Sequence, residues 1–197
     1  MHDSLPHMDG LKIQVREAYG RLTYTYTTHL KQVKQLTSKN NTIKFWQIVL
    51  SAISTGGFFS AVVTNQVIMT WIGGIVSTFL LALNLFFKDS NLADDIRKHR
   101  TTADALWIIR ERYISLLTDF DTLSEEIIMQ KRDELQDSTA EIYKAAPTTS
   151  SKSYSAAQKA LKIEEEQFFK ASEIDKMLPE HLRLDHGQSS KNKCELH

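Results

Sequence analysis

The side chains that carry most enzyme and metal chemistry are few and scattered in this chain. Its seven histidines fall at 2, 7, 29, 99, 181, 186 and 197, and no His-Glu-x-x-His, Asp-x-Asp or Cys-x-x-Cys gathers ligands around a metal. His99, beside Arg100, reads as a solvated helix residue. The single cysteine, Cys194, lies in a polar tail with no helix dipole to lower its thiol pKa. One cysteine also excludes a disulfide framework and a cysteine-based zinc site. No glycine-rich phosphate cradle is present, because the central glycines come as Gly56-Gly57 and Gly73-Gly74 inside apolar runs. Glu164-Glu165-Glu166 is a charge run that suits a solvated helix face, and Phe168-Phe169 after it suits docking against a neighbouring helix. The other use of that acidic-aromatic stretch is contact with a cytoplasmic partner. Neither catalysis, nor a cofactor, nor a metal is expected.

The informative residues are instead the polar and small ones inside a segment without charge. The 197 residues carry 24 basic and 24 acidic side chains, a balance that argues against a general nucleic-acid binder. Residues 1–44 hold seven basic and three acidic side chains, residues 88–197 hold 17 and 21, and residues 45–87 hold none. A bilayer core needs about 20 helical residues to cross it. The block from Phe45 to Phe87 is therefore long enough for two crossings and a tight turn, placed at Thr64-Asn65-Gln66. The spans are 45–63, with 12 of 19 residues clearly apolar, and 67–87, with 15 of 21. A buried hairpin in a soluble core would show a charged solvent face, and these spans show none. Lys31, Lys34, Lys39 and Lys44 precede the first span, and Lys88, Arg97, Lys98 and Arg100 follow the second. The positive-inside bias then puts both flanks and both termini in the cytoplasm.

On the first span, Gln47, Ser51, Ser54 and Phe58 share one stripe, and Ala52, Gly56 and Ser60 lie opposite, at small-xxx-small spacing. On the second, Thr70, Gly73, Gly74, Ser77 and Asn84 form one broad face, and Gly57 completes the glycine pair of the first. Small residues let membrane helices approach closely, and Gln or Asn bonds across them. Two opposite non-lipid faces need two partners, and the second span supplies one. A second copy or water would supply the other, giving a homo-oligomer with a lumen along Gln47, Ser51 and Ser54. The plainer alternative has the serines bonding back to their own helix and the glycines merely packing the hairpin.

Outside the block, Leu11, Val15, Ala18/Tyr19, Leu22, Tyr26, Leu30, Val33 and Leu36 predict an amphipathic helix over about 9–38, broken near Ser38-Lys39-Asn40-Asn41. Thr23 to Thr28 is β-prone. After the block, Asn91 caps a helix marked by Ala103, Leu106/Trp107, Arg110, Tyr113/Ile114, Leu117 and Phe120. A Thr122-x-x-Glu125 capping box opens a third, running to about Ala146. Residues 147–153 are loop-like, 154–170 helical, and Ser172-x-x-Asp175 caps a short last turn. Disorder is expected from Asp185. The expected layout is an N-terminal cytoplasmic helix (1–44), a transmembrane hairpin (45–87), a cytoplasmic helical region (88–180) and a disordered tail (181–197). The fold class is an all-α membrane protein whose amphipathic helices form a cytoplasmic bundle.

The segments Asn41–Phe58, Trp71–Gly74, Leu83–Asp89, Ala105–Trp107, Arg110–Phe120 and Arg132–Leu135 resemble the SLATT family over about residues 10–180. The resemblance implies a two-helix membrane effector of bacterial conflict systems, pore-forming or membrane-disrupting on activation, that causes abortive infection of phage-challenged cells. It implies a separately encoded partner: a nucleotide-signal synthetase, a SLOG protein or a reverse transcriptase. It carries no catalytic motif, and its small and polar hairpin positions correspond to Gly56, Gly57, Gly73, Gly74 and Asn84. The expected place is the bacterial inner membrane. A passive anchor that recruits a cytoplasmic partner enzyme is the alternative. A phage holin is a weaker third, because nearly 110 residues follow the hairpin.

Overall fold

The computed structural model describes residues 4–64, 67–88, 91–167, 169, 171–179, 181 and 183, leaving aside the side chains of 4–6, 58, 60–64, 88, 171 and 172. Among the described residues there are six helices and no strand: α1 (Ser4–Thr64), α2 (Val67–Lys88), α3 (Leu92–Thr118), α4 (Glu125–Ala145), α5 (Ser151–Lys162) and α6 (Ala171–Met177). The expected turn residues Asn65 and Gln66, and the tail from 184, lie outside the described residues.

The spine is α1, whose 61 residues at ~1.5 Å each make a rod of about 90 Å. The expected break at Ser38–Asn41 does not occur. That stretch holds poor helix formers but no Gly or Pro to stop propagation, and the Thr42 hydroxyl donates to the Ser38 carbonyl at 2.9 Å. Three of the four β-prone threonines are absorbed in the same way. Thr25, Thr27 and Thr28 donate to the carbonyls of Arg21, Thr23 and Tyr24 at 3.0, 2.9 and 2.8 Å. Their hydroxyls are thus satisfied within the helix that their branching disfavours.

Helix α1 packs on α2 with its C-terminal part and on α3 with its N-terminal part, and α4 packs on α3 and α1. The apolar core lies between Leu11, Val15, Ala18 and Leu22 of α1 and Leu106, Ile109, Tyr113 and Leu116 of α3. Phe120, Ile128 and Leu135 close it. On α3 the buried positions 92, 99, 106, 113 and, just past its end, 120 recur every seventh residue. Trp107, expected on this stripe, instead points away and is 48% exposed. A seven-residue repeat drifts by only about 20° per step on a 3.6-residue helix, so one ladder stays against one partner.

The order of α4 and α5 along α1 is set by polar contacts at one constant offset. Arg132 meets Gln14, Tyr143 meets Thr25, Ser150 meets Gln32 and Ser153 meets Gln35, each pair 118 residues apart. Helix α4 therefore runs parallel to α1, and the non-helical residues 146–150 around Pro147 do not break that register. The expected Thr122 capping box is not formed. Thr122 donates to Asp119 at 2.7 Å and Ser124 occupies the N-cap. Asn91 is the N-cap of α3, though its side chain makes no capping bond.

From Lys159 onward the chain forms a second compact unit. Here the expected helix to residue 170 stops at Lys162. Glu164 and Glu166 return their backbone N–H groups to the carbonyls of Lys159 and Ala160, with Glu165 in left-handed backbone at φ 49°. The acidic run is therefore a turn rather than a helix face. Lys159 pairs with Glu164 at 2.9 Å, which raises the lysine pKa. Helix α6 begins at Ala171, which puts Ser172 inside it rather than at a cap.

Candidate functional site

The charge-free residues of α1 and α2 form an antiparallel pair in a regular register. Gln47 donates to the Asn84 carbonyl at 2.8 Å, and seven residues further along α1 the hydroxyl of Ser54 hydrogen-bonds that of Ser77, seven residues back on α2. Next to these, a Cβ added at Gly57 would stand 3.9 Å from the Gly73 Cα, and Gly73 is buried. The glycine pair lets the two backbones close, and the two side-chain bonds fix which residues face each other. Gln47 and Ser54 thus point at α2 rather than at an outside lumen. Thr70 and Gly74 are exposed, and the Gly74 backbone carbonyl accepts a hydrogen bond from Thr78 at 2.9 Å. The Ser60 side chain lies outside the described residues.

Beside this seam runs an open groove of about 790 Å³, lined by Lys44, Gln47, Ser51, Ala52, Thr55, Gly56, Leu80 and Asn84. Ser51, Ala52, Thr55 and Gly56 are exposed in it, and a Cβ added at Gly56 would meet no atom within 4 Å. The polar Ser51 and the small Ala52–Gly56 edge, expected on opposite sides, therefore share one surface. Elsewhere on the same two helices Ile53, Phe59, Ile68, Trp71, Ile75, Phe79 and Phe86 are exposed, as is Ile48 in the groove. Among the described residues, one segment within Val67–Thr118 is long and apolar enough to cross a membrane, and 6% of its most apolar window is buried in the protein. A soluble core helix would show the reverse.

Between the hairpin and the apolar core, the buried interior around α1 is polar. Thr23, Thr27, Thr28 and His29 of α1, His99 and Thr102 of α3 and Ser153 of α5 are buried. The Nδ1 atoms of His29 and His99 are 2.9 Å apart, so one ring donates and the other accepts. Burial lowers the pKa of His29 to about 4, helped by the charge of His99; burial also lowers His99, against the pull of Asp95. His99 is thus no solvated residue, as its neighbour Arg100 suggested. The missed signal was the step of seven: His29 continues Val15 and Leu22, and His99 continues Leu106 and Tyr113. Ser153 and the Ser150 hydroxyl converge on the Gln32 carbonyl, the latter at 2.8 Å. That contact ties the start of α5 to α1.

Glu164, Glu165 and Glu166 are exposed in their turn; Phe169 is 66% exposed, and Phe168 lies outside the described residues. No group of three or more His, Cys, Asp or Glu that could hold a metal occurs among the described residues.

A long helix, an apolar helix paired against it through glycines, and a helical bundle on the same rod define a small all-helical membrane-associated protein. The family model of the SMODS and SLOG-associating 2TM effector domain, family 4, matches residues 11–173, and the chain belongs to this SLATT family. That description is of a two-transmembrane effector domain that associates with SMODS and SLOG proteins. Neither the curated proteins nor the solved structures yield a match.

Proposed function

We propose that this chain is an oligomeric effector of the bacterial inner membrane that permeabilises the bilayer when its conflict system is triggered. The α1–α2 pair crosses the membrane as a hairpin, and both termini and the bundle stay in the cytoplasm. The protein acts without catalysis. The trigger comes from a separately encoded sensor or signal-producing protein, and loss of the membrane gradients stops the cell before phage release.

The groove beside the hairpin carries this reading. At membrane depth, lipid offers no partner to Ser51, Thr55 or the outer edge of the Gln47–Asn84 pair, and polar groups there must be satisfied by protein or water. Ala52 and Gly56 add a surface that another helix can approach closely. A second copy seated in the groove meets both needs. A ring of such copies would turn Ser51 and Thr55 toward a shared interior, while Gln47 and Ser54 hold each hairpin together. Helix α1 reaches from the bundle into this groove without a break, so a bundle rearrangement is delivered to the hairpin by a rigid lever.

The test is Gly56→Leu in protein reconstituted into dye-loaded liposomes and in phage-challenged cells. The substitution enters open space in one protomer yet fills the groove. Loss of leakage and of protection, with membrane insertion retained, is the expected result. Retained protection, or protection when residues 45–87 are replaced by an unrelated apolar hairpin, would instead establish a passive anchor.

A further inference from the structure

Where α1, α3, α4 and the start of α5 meet, a cleft of about 650 Å³ opens among Tyr24, Tyr113, Tyr143 and Tyr154. Clefts of this size with aromatic walls and few polar groups are the usual form of small-molecule sites. The rings of Tyr24 and Tyr154 lie 5.6 Å apart with their planes tilted by 34°, and Tyr154 is 54% exposed. Beside them, a Cβ added at Gly20 would meet nothing within 4 Å, so the wall at that point is open.

The polar groups of the tyrosines are not equally spent. Tyr143 donates to the Thr25 hydroxyl at 3.1 Å, and Tyr113, whose phenol pKa burial pushes up, is hydrogen-bonded to Thr139. The Tyr24 hydroxyl is buried with no protein partner. Arg21 is the one charged side chain among the described lining residues. It is about two-thirds exposed, and its ion pair with Glu17 is long at 3.4 Å, so its fork keeps donors to spare.

Tyrosine faces hold either cations or flat aromatic rings. A lining whose single formal charge is positive disfavours the first and selects a ring that bears an anion. We propose that this cleft is a binding site for a planar aromatic molecule carrying an anionic group, with the ring against Tyr24 and Tyr154 and the anion paired with Arg21. The site stands on its own residues and is independent of what the hairpin does in the membrane. Because its walls come from both α1 and the α4–α5 arm, an occupant joins the two.

Calorimetric titration of the full chain in detergent micelles tests this, with adenosine monophosphate and indole-3-acetate as aromatic anions. Adenosine, inorganic phosphate and benzyltrimethylammonium serve as comparators. Saturable one-to-one binding of an aromatic anion is expected, and the preferred probe tells phosphate from carboxylate. Arg21→Gln should weaken it about tenfold or more, as loss of a charged hydrogen bond does, and leave adenosine unchanged. Gly20→Leu should abolish binding with no fall in melting temperature, since leucine is the better helix former. Tyr154→Ala provides the same loss from a second position. The proposal is overturned if neither anion binds, if Arg21→Gln has no effect, or if phosphate alone or benzyltrimethylammonium binds as tightly.

Discussion

His29 of α1 and His99 of α3, 70 residues apart in the chain, share one hydrogen bond between their Nδ1 atoms at 2.9 Å inside the bundle. Both rings are at least 96% buried by residue area. The contact needs at least one neutral ring, because two imidazolium ions would bring two N–H donors face to face.

The bundle is therefore acid-sensitive. His29 has its pKa lowered from 6.5 to about 4, and His99 is lowered too, so the unfolded chain binds more protons than the folded one between those values. Stability is full above about pH 6.5 and falls as the pH drops toward 4. Thermal melts of the full chain by circular dichroism across this window should show a falling midpoint. The double variant His29→Gln, His99→Gln should flatten that slope, and an unchanged slope would remove the pair from the account.

Gln47 and Asn84 should be coupled energetically. A side-chain bond between membrane helices contributes roughly 0.6–2 kcal/mol. A double-mutant cycle of Gln47→Ala and Asn84→Ala, read by reversible unfolding in mixed micelles, should return an interaction energy in that range. Strict additivity would mean that the glycines alone hold the seam.

The continuity of α1 through Ser38–Asn41 should matter for triggering and not for insertion. Proline inside a helix costs about 3 kcal/mol and kinks it. Asn40→Pro should leave the protein resistant to carbonate extraction while uncoupling bundle from hairpin, so that triggered leakage is lost. Wild-type leakage in this variant would show that the rod transmits nothing.

Gln32 holds the start of α5 through Ser150 and Ser153. Gln32→Leu removes the acceptor those two hydroxyls share, leaving Ser153 only Gln35 at 3.2 Å on α1, and should expose residues 146–150 to proteases. Faster cleavage within that segment, mapped by mass spectrometry, is the expected change. For comparison, Leu106→Ala, at a position with no exposed surface, should cost about 2–5 kcal/mol and destabilise the whole bundle.

Much of the helical layout was legible because it rests on short-range regularities. A segment without a single charge must avoid water, which marked 45–87, and the spacing of Leu11, Val15, Ala18 and Leu22 marked the buried face of α1. Prolines and turn residues ended α4 close to where expected. Local signals failed where two helical preferences compete at similar cost. Ser38–Asn41 propagates rather than breaks, because continuing an existing helix costs little even through poor formers. The helix expected to run to residue 170 stops at Lys162, with Glu165 taking a left-handed backbone instead.

What the sequence decided alone was where the apolar runs and the core-facing stripes lie, since transfer free energy depends on residue type and helical period. Which face meets which was decided only by the packed chain. Gln47 and Ser54 turned toward α2 because Gly57 and Gly73 allow that pair to close. His99 went inside because α3, running antiparallel to α1, brings its ladder of sevens against His29. Tyr24 and Tyr154 came together because Ser150 and Ser153 dock the start of α5 on Gln32 of α1. Each of these depends on a distance between residues far apart in the chain, and no local pattern contains it.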